Sequence, residues 1–212
     1  MRSRRVPTPA VLVAWAALMA LALLLAGCSG GSSRSASASA AAAAGAKDAA
    51  DQASASAYVL PGCPTLRHQP VVDGGLPDLT LPCLGDGPGV RLADLRGTPT
   101  VLEVWAAWCT ICRDEMPKRA KAVAKAGDRV RFLGIHYKAT RGQGQQAAAE
   151  FGVPFPSVQD TDGDKTVLAL QAKAPPLTVF VSADGRIVFR KFGGITTAEF
   201  EDLVARYLGV TL

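Results

Sequence analysis

Cys109 and Cys112 are separated only by Thr110 and Ile111, and the pair lies where an apolar β-rich run (Thr100–Trp105) gives way to a helical stretch. A cysteine at a helix start meets unpaired N–H groups and the positive end of the helix dipole, and both favour an anionic sulfur. Cys112 falls one turn further along the same face, close enough to bond to Cys109. The spacing predicts thiol–disulfide exchange, with Cys109 as an exposed, acidified nucleophile and Cys112 as a shielded resolving thiol. A zinc site would need more ligands, yet there is no second CxxC and the histidines are only His68 and His136. Haem attachment would need His after the second cysteine, where Arg113 stands. No metal and no cofactor is expected.

Three further cysteines complete the set. Cys63 and Cys83 lie in a Pro/Gly-rich stretch that has little core of its own. They are expected to form a structural disulfide closing a loop of about 20 residues, worth about 3 kcal/mol in the chain-entropy model. The alternative is a second redox pair relaying electrons to Cys109 and Cys112. Proximity and local chemistry favour the first, because neither cysteine stands at a helix start. Cys28 follows Leu25-Ala26-Gly27 at the end of an uncharged apolar stretch, Val11–Ala26, which Arg2, Arg4 and Arg5 precede. Sixteen residues are short for a membrane span and suit a signal peptide covering residues 1–27.

The elements that must hold the dithiol are legible as alternating strands and helices. Thr100–Trp105 reads as a buried central strand, and residues 110–126 as a helix that Pro117 should kink. Strands are expected at 130–137 and 157–158, and helices at 143–151 and 165–172. Residues 177–182 and 186–192 alternate around Ala183-Asp184-Gly185, a hairpin signal. Thr196 with Glu199 forms a capping box for a last helix that ends at Gly209. A short strand near 79–84 and a turn at 91–97 precede them. The pattern is α/β with a mixed central sheet.

Composition sets the frame. Of 212 residues, 28–57 are almost wholly Ser, Ala and Gly and read as a flexible tether, with a random-coil reach of roughly 30 Å. Residues 58–212 suffice for one domain with its own core, the first part of which, 58–89, is a Pro/Gly-rich extension. The net charge of +5 sits mostly at the N-terminus, and residues 58–212 carry 18 Lys and Arg against 16 Asp and Glu. That balance excludes a nucleic-acid-binding basic face. Asp160, Asp162 and Asp164 resemble a calcium loop, but Lys165 and Gln171 occupy its glycine and glutamate positions, so a polar turn is expected. Arg113, Lys118, Arg119, Lys121 and Lys125 read as a solvated basic face. His136 reads as a packed core residue, and His68 gives no usable signal.

The segment Trp105-Ala-Ala-Trp108-Cys109-Thr-Ile-Cys112-Arg-Asp-Glu-Met-Pro117 resembles the active-site segment of thioredoxin-fold proteins. It is most similar to the extracytoplasmic thiol–disulfide oxidoreductases of the TlpA/ResA type, and the resemblance extends over about 76–208. The dipeptide Thr110-Ile111 departs from the frequent Xaa-Pro. The resemblance implies a thioredoxin-like fold, a mixed sheet flanked by helices, behind an N-terminal extension. Leu-Ala-Gly-Cys28 resembles a lipobox, which implies lipidation of Cys28 and a domain tethered to a bacterial membrane, facing the cell envelope.

Two more positions match that family. Glu103 stands where thioredoxin buries a carboxylate beneath its cysteines, and desolvation there would let it accept the Cys112 proton. The alternative is that Glu103 faces solvent or pairs with Arg or Lys. Pro176 stands where the family has a cis-proline, with Pro175 as a competing candidate. There the backbone of Pro176 and Leu177 would meet a substrate strand, and Trp108 would shield the dithiol. The implied enzyme reduces disulfides in protein substrates and is recharged by an upstream membrane thiol donor. The alternatives are a redoxin-type thiol peroxidase and a non-enzymatic metal carrier on the same fold. The residues disfavour both, because the peroxidase places a Thr two or three positions before its cysteine and the carrier uses CxxxC.

Overall fold

In the computed structural model, residues 58–212 are described. The expected signal peptide, Cys28 and the tether lie outside the described residues. The run Thr100–Trp105 (β3) has all six side chains buried, as a strand covered on both faces requires. It lies at the centre of a five-stranded sheet ordered β5-β4-β3-β6-β7. Here β4 is Arg131–Tyr137, β5 Ser157–Asp160, β6 Leu177–Val181 and β7 Ile187–Phe192. β3, β4 and β5 are parallel, while β6 runs antiparallel to β3 and β7 antiparallel to β6. Four helices accompany them: α1 (Thr110–Ala126), α2 (Arg141–Phe151), α3 (Asp164–Leu170) and α4 (Thr197–Leu208). The expected α/β thioredoxin-like fold with a mixed sheet is the observed one. Among the described residues no helix is long and apolar enough to cross a membrane.

Local chemistry explains most boundaries. Thr140 and Gln143 form a reciprocal capping box, so α2 begins at Arg141 rather than at 143. Thr196 Oγ1 accepts from Glu199 N at 3.2 Å, but the Glu199 carboxylate pairs with Lys191 at 2.9 Å instead of returning to the cap. The expected box on α4 is therefore half formed. Gly185, at φ +91°, closes the β6–β7 hairpin in a conformation that favours glycine. α1 runs through Pro117 as one helix; proline there forgoes only one intrahelical donor. Asp160 accepts from Gly163 N at 3.2 Å and Thr166 N at 2.6 Å, a polar turn that starts α3.

The extension adds little regular structure, with a two-residue pairing of β1 (Thr80–Leu81) and β2 (Val90–Arg91) and a 3-10 turn at Leu92–Asp94. Its role is to cover sheet edges. Leu84 N donates to Ser157 O at 2.7 Å and Gln159 N to Pro82 O at 2.9 Å, laying residues 82–84 along β5. On the other side, Leu76 N donates to Gly185 O at 3.1 Å and Ile187 N to Gly74 O at 3.0 Å, at the start of β7. Edge strands covered in this way cannot recruit foreign strands. Cys63 and Cys83 are joined by a disulfide, with Cα atoms 5.9 Å apart. It fastens the beginning of the extension to the segment lying on β5.

Candidate active site at the end of the central strand

Three backbone ends converge at one end of the sheet. β3 finishes at Trp105, and antiparallel β6 begins beside it, with Leu177 opposite Val104. β7 ends there too, with Phe192 opposite Leu177. The chain leaving β3 turns through Ala106, whose carbonyl accepts from Cys109 N at 3.0 Å, and enters α1. Cys109 is the N-cap of that helix, and its Sγ accepts from Cys112 N at 3.1 Å. The two cysteines are joined by a disulfide with Cα atoms 5.3 Å apart. No carboxylate lies in the first helical turn, so the helix end is free to stabilise negative charge on sulfur.

Cys109 is only 5% exposed and Cys112 is fully buried. The expected order of accessibility holds, but Cys109 is recessed rather than exposed. Three large apolar side chains at this end of the sheet are exposed: Trp108 58%, Ile111 48% and Phe192 51%. Trp108 leans edge-on against Tyr137, with ring centroids 6.4 Å apart, and so forms part of the rim. A cleft of about 280 Å³ opens beside Ile111, between Asp114 and Lys118 of α1 and Gly194, Thr196 and Glu199. A Cβ on Gly194 would come within 3.0 Å of Ile111 Cγ2 and 3.2 Å of Glu115 Oε1, so glycine permits this loop to approach α1.

The Pro175–Pro176 peptide is cis and stands at the same end. The expectation that Pro176 and Leu177 offer main-chain groups to a substrate strand is narrowed by the hydrogen bonding. Leu177 is buried and paired on both sides, to Val104 and to Phe192. Pro176 O accepts from Gly193 N at 3.0 Å. Neither proline has an N–H, so the pair presents the Pro175 carbonyl and no donor.

Glu103 is buried on β3, and it also pairs with Arg119, so burial comes from the one reading and the arginine partner from its alternative. Its Oε2 accepts from Arg119 Nε at 3.4 Å, while Oε1 has no partner. Burial pushes its pKa above the usual carboxylate range, and the nearby Arg119 guanidinium opposes that rise. Arg119 itself is 1% exposed, which corrects its assignment to the solvated face of α1. Its Nη2 donates to Glu115 Oε2 at 3.3 Å, and its guanidinium lies 4.1 Å from the Phe200 ring centroid. Glu115 Oε1 in turn accepts from Ile195 N at 2.5 Å. Sequence reading missed both Glu115 and Arg119. The spacing Cys112, Glu115, Arg119 places all three on one helical face, and that periodicity was the available signal.

His136 is buried against Trp105, with ring centroids 4.7 Å apart, and both its nitrogens lack partners. His68 is exposed beside Asp94. Among the described residues no cluster of His, Cys, Asp or Glu is placed to hold a metal ion.

Residues 72–190 match the AhpC/TSA family. A thiol:disulfide interchange protein DsbE from Pseudomonas fluorescens biotype C is 35% identical over 133 residues, covering 62% of this chain and 72% of the relative. A protein of the same name from Allochromatium vinosum is 32% identical over 146 residues, covering 66% and 79%. Among solved structures, a secreted Mycobacterium tuberculosis disulfide oxidoreductase homologous to E. coli DsbE superposes with a TM-score of 0.52 at 26% identity. That superposition covers 61% of this chain and 96% of the other. These relatives carry the DsbE name rather than the TlpA/ResA name suggested by the active-site segment.

Proposed function

Because this chain belongs to the AhpC/TSA family and to the DsbE-type thiol:disulfide interchange proteins, we propose that it is an extracytoplasmic protein-disulfide reductase. The observation that carries the reading is the Cys109 sulfur at the N-cap of α1, accepting the Cys112 N–H at 3.1 Å. In the reduced protein the same N–H would stabilise a Cys109 thiolate. That thiolate attacks a substrate disulfide, forming a mixed disulfide and releasing one substrate thiolate. Cys112 loses its proton to Glu103 and attacks Cys109 Sγ, closing the internal disulfide and releasing the second substrate sulfur. An upstream membrane thiol donor returns the two electrons.

The exposed rings of Trp108 and Phe192 and the side chain of Ile111 supply an apolar contact surface around the recessed sulfur. Pro176 shapes its far wall, and the Pro175 carbonyl is the main-chain acceptor there. Cys63–Cys83 is a structural staple in this scheme, for it joins the start of the extension to the segment lying on β5, with Cys83 bridged to Val158. The chain is delivered by a signal peptide (1–27), lipidated at Cys28 and carried on a tether (28–57), which places the domain 58–212 at the membrane of the cell envelope. The TlpA/ResA-like active-site segment fits a reductive role in the same compartment.

Insulin reduction tests the reading. Wild type accelerates it and Cys109→Ser abolishes it; equal rates would overturn the assignment. Cys112→Ser accumulates mixed disulfides whose masses identify the clients. Peroxide consumption and copper titration address the peroxidase and metal-carrier alternatives. Ala106 and Ala107 stand where the peroxidase would need its Thr.

A further inference from the structure

On the helix that carries the dithiol, one buried cation serves two buried carboxylates. Arg119 of α1 reaches Glu103 on β3, Glu115 one turn earlier on its own helix, and the Phe200 ring of α4. Were both carboxylates ionised, this water-excluded site would hold one uncompensated negative charge, which is costly. The surroundings of the two acids are unequal. Glu115 has two fixed donors, Arg119 Nη2 at 3.3 Å and Ile195 N at 2.5 Å. Glu103 has one, Arg119 Nε at 3.4 Å, and its Oε1 is unpartnered. Its strand neighbours give little more: Gly134 has no side chain, and Thr178, directly across, adds only the smallest of the contributions that lower its pKa.

We propose that Arg119 is a positioning residue of the dithiol site. It is a counter-ion that Glu115, clamped by Ile195 N, engages through a second fixed contact, and it leaves Glu103 as the carboxyl free to exchange a proton with Cys112. The inference rests on the disulfide-exchange reading above and adds a division of labour between two acids that sequence position does not distinguish. Unequal environments of this kind separate paired carboxyl groups into different roles. The Glu115–Ile195 bond also ties the charge state of α1 to the loop that walls the cleft beside Ile111. The groups facing Glu103 that titrate or carry charge are Glu115 and Arg119, both from α1, the helix that also carries Cys112 one turn before Glu115. Thr178 of β6 and Gly134 of β4 bring none, and Phe200 of α4 lies under the guanidinium.

Stopped-flow reaction of the reduced protein with Ellman's reagent separates the two steps. The first thionitrobenzoate is released by attack of Cys109, and the second when Cys112 resolves the mixed disulfide. Between them the protein dithiol loses two electrons and the reagent disulfide gains them. The acid limb of the second phase is recorded against pH. Arg119→Met removes the cation and moves that limb up by about one pH unit or more. Glu115→Gln removes the competing anion, keeps an acceptor for Ile195 N, and moves the limb down. Arg119→Lys keeps the charge and stays near wild type. Limbs that coincide with wild type, or that move in one common direction, overturn the proposal. If Arg119→Met does not fold, Glu115→Gln decides, and the absence of a downward shift overturns it. A wild-type protein that releases no second equivalent overturns the exchange reading itself, an outcome that needs no variant to recognise.

Discussion

At the residue scale, His136 makes a titration prediction that is independent of catalysis. Burial lowers its pKa to about 4, and neither ring nitrogen has a partner. Unfolded, the same imidazole titrates near the ordinary value of about 6.5. Above that pH both states are neutral and nothing is gained or lost. As pH falls from about 6.5 towards 4, the unfolded chain takes up a proton that the folded one refuses, so stability declines by up to roughly 3 kcal/mol. Glu103, with its raised pKa, acts in the opposite sense and is lost as a source of stability as pH rises. Comparing urea midpoints of wild type and His136→Phe at neutral and acidic pH isolates the imidazole, and the variant should show the shallower acid loss. Gly194 makes a second prediction, since a side chain there would press on Ile111 and Glu115. Gly194→Val should slow insulin reduction roughly tenfold, because small displacements of a reacting geometry are costly; a thermal melt checks that the fold survives.

At the element scale, capping governs helix stability. Thr140 closes both halves of its box at the start of α2, so Thr140→Ala should cost about 1 kcal/mol in a urea titration and leave insulin reduction unchanged. That box also shows how far sequence alone reaches. Gln143 was legible as the start of a helix, yet its partner Thr140 was not, and the boundary fell two residues late. β3 and the β6–β7 hairpin were legible because apolar runs and an Asp-Gly turn are local signals. The dithiol was legible because its chemistry depends on a spacing within one helical turn. Arg119 was not: among Lys118, Lys121 and Lys125 it reads as one more solvated cation. What draws it inward is Glu103, sixteen residues earlier on another element. The short strand expected near 79–84 contains β1, but its two-residue partner β2 is too short to show a period, so the pairing itself was invisible.

At the scale of the whole molecule, the Cys63–Cys83 disulfide spans 20 residues of a segment otherwise held by edge hydrogen bonds and the buried side chains of Leu76 and Leu81. Replacing both cysteines by alanine should lower unfolding free energy by about 3 kcal/mol in the chain-entropy model, with the rate of insulin reduction retained. A matching loss of rate would instead mark a relay. The paired prolines opposite the dithiol have a different consequence. A proline pair with a single carbonyl and no amide to offer cannot zip a visitor into a β-ladder, and so it has no means of reading which way that visitor's chain runs. Disulfide-bonded peptides of forward and reversed sequence should therefore be reduced at similar rates, with contour and greasiness, not polarity of the backbone, deciding who is served.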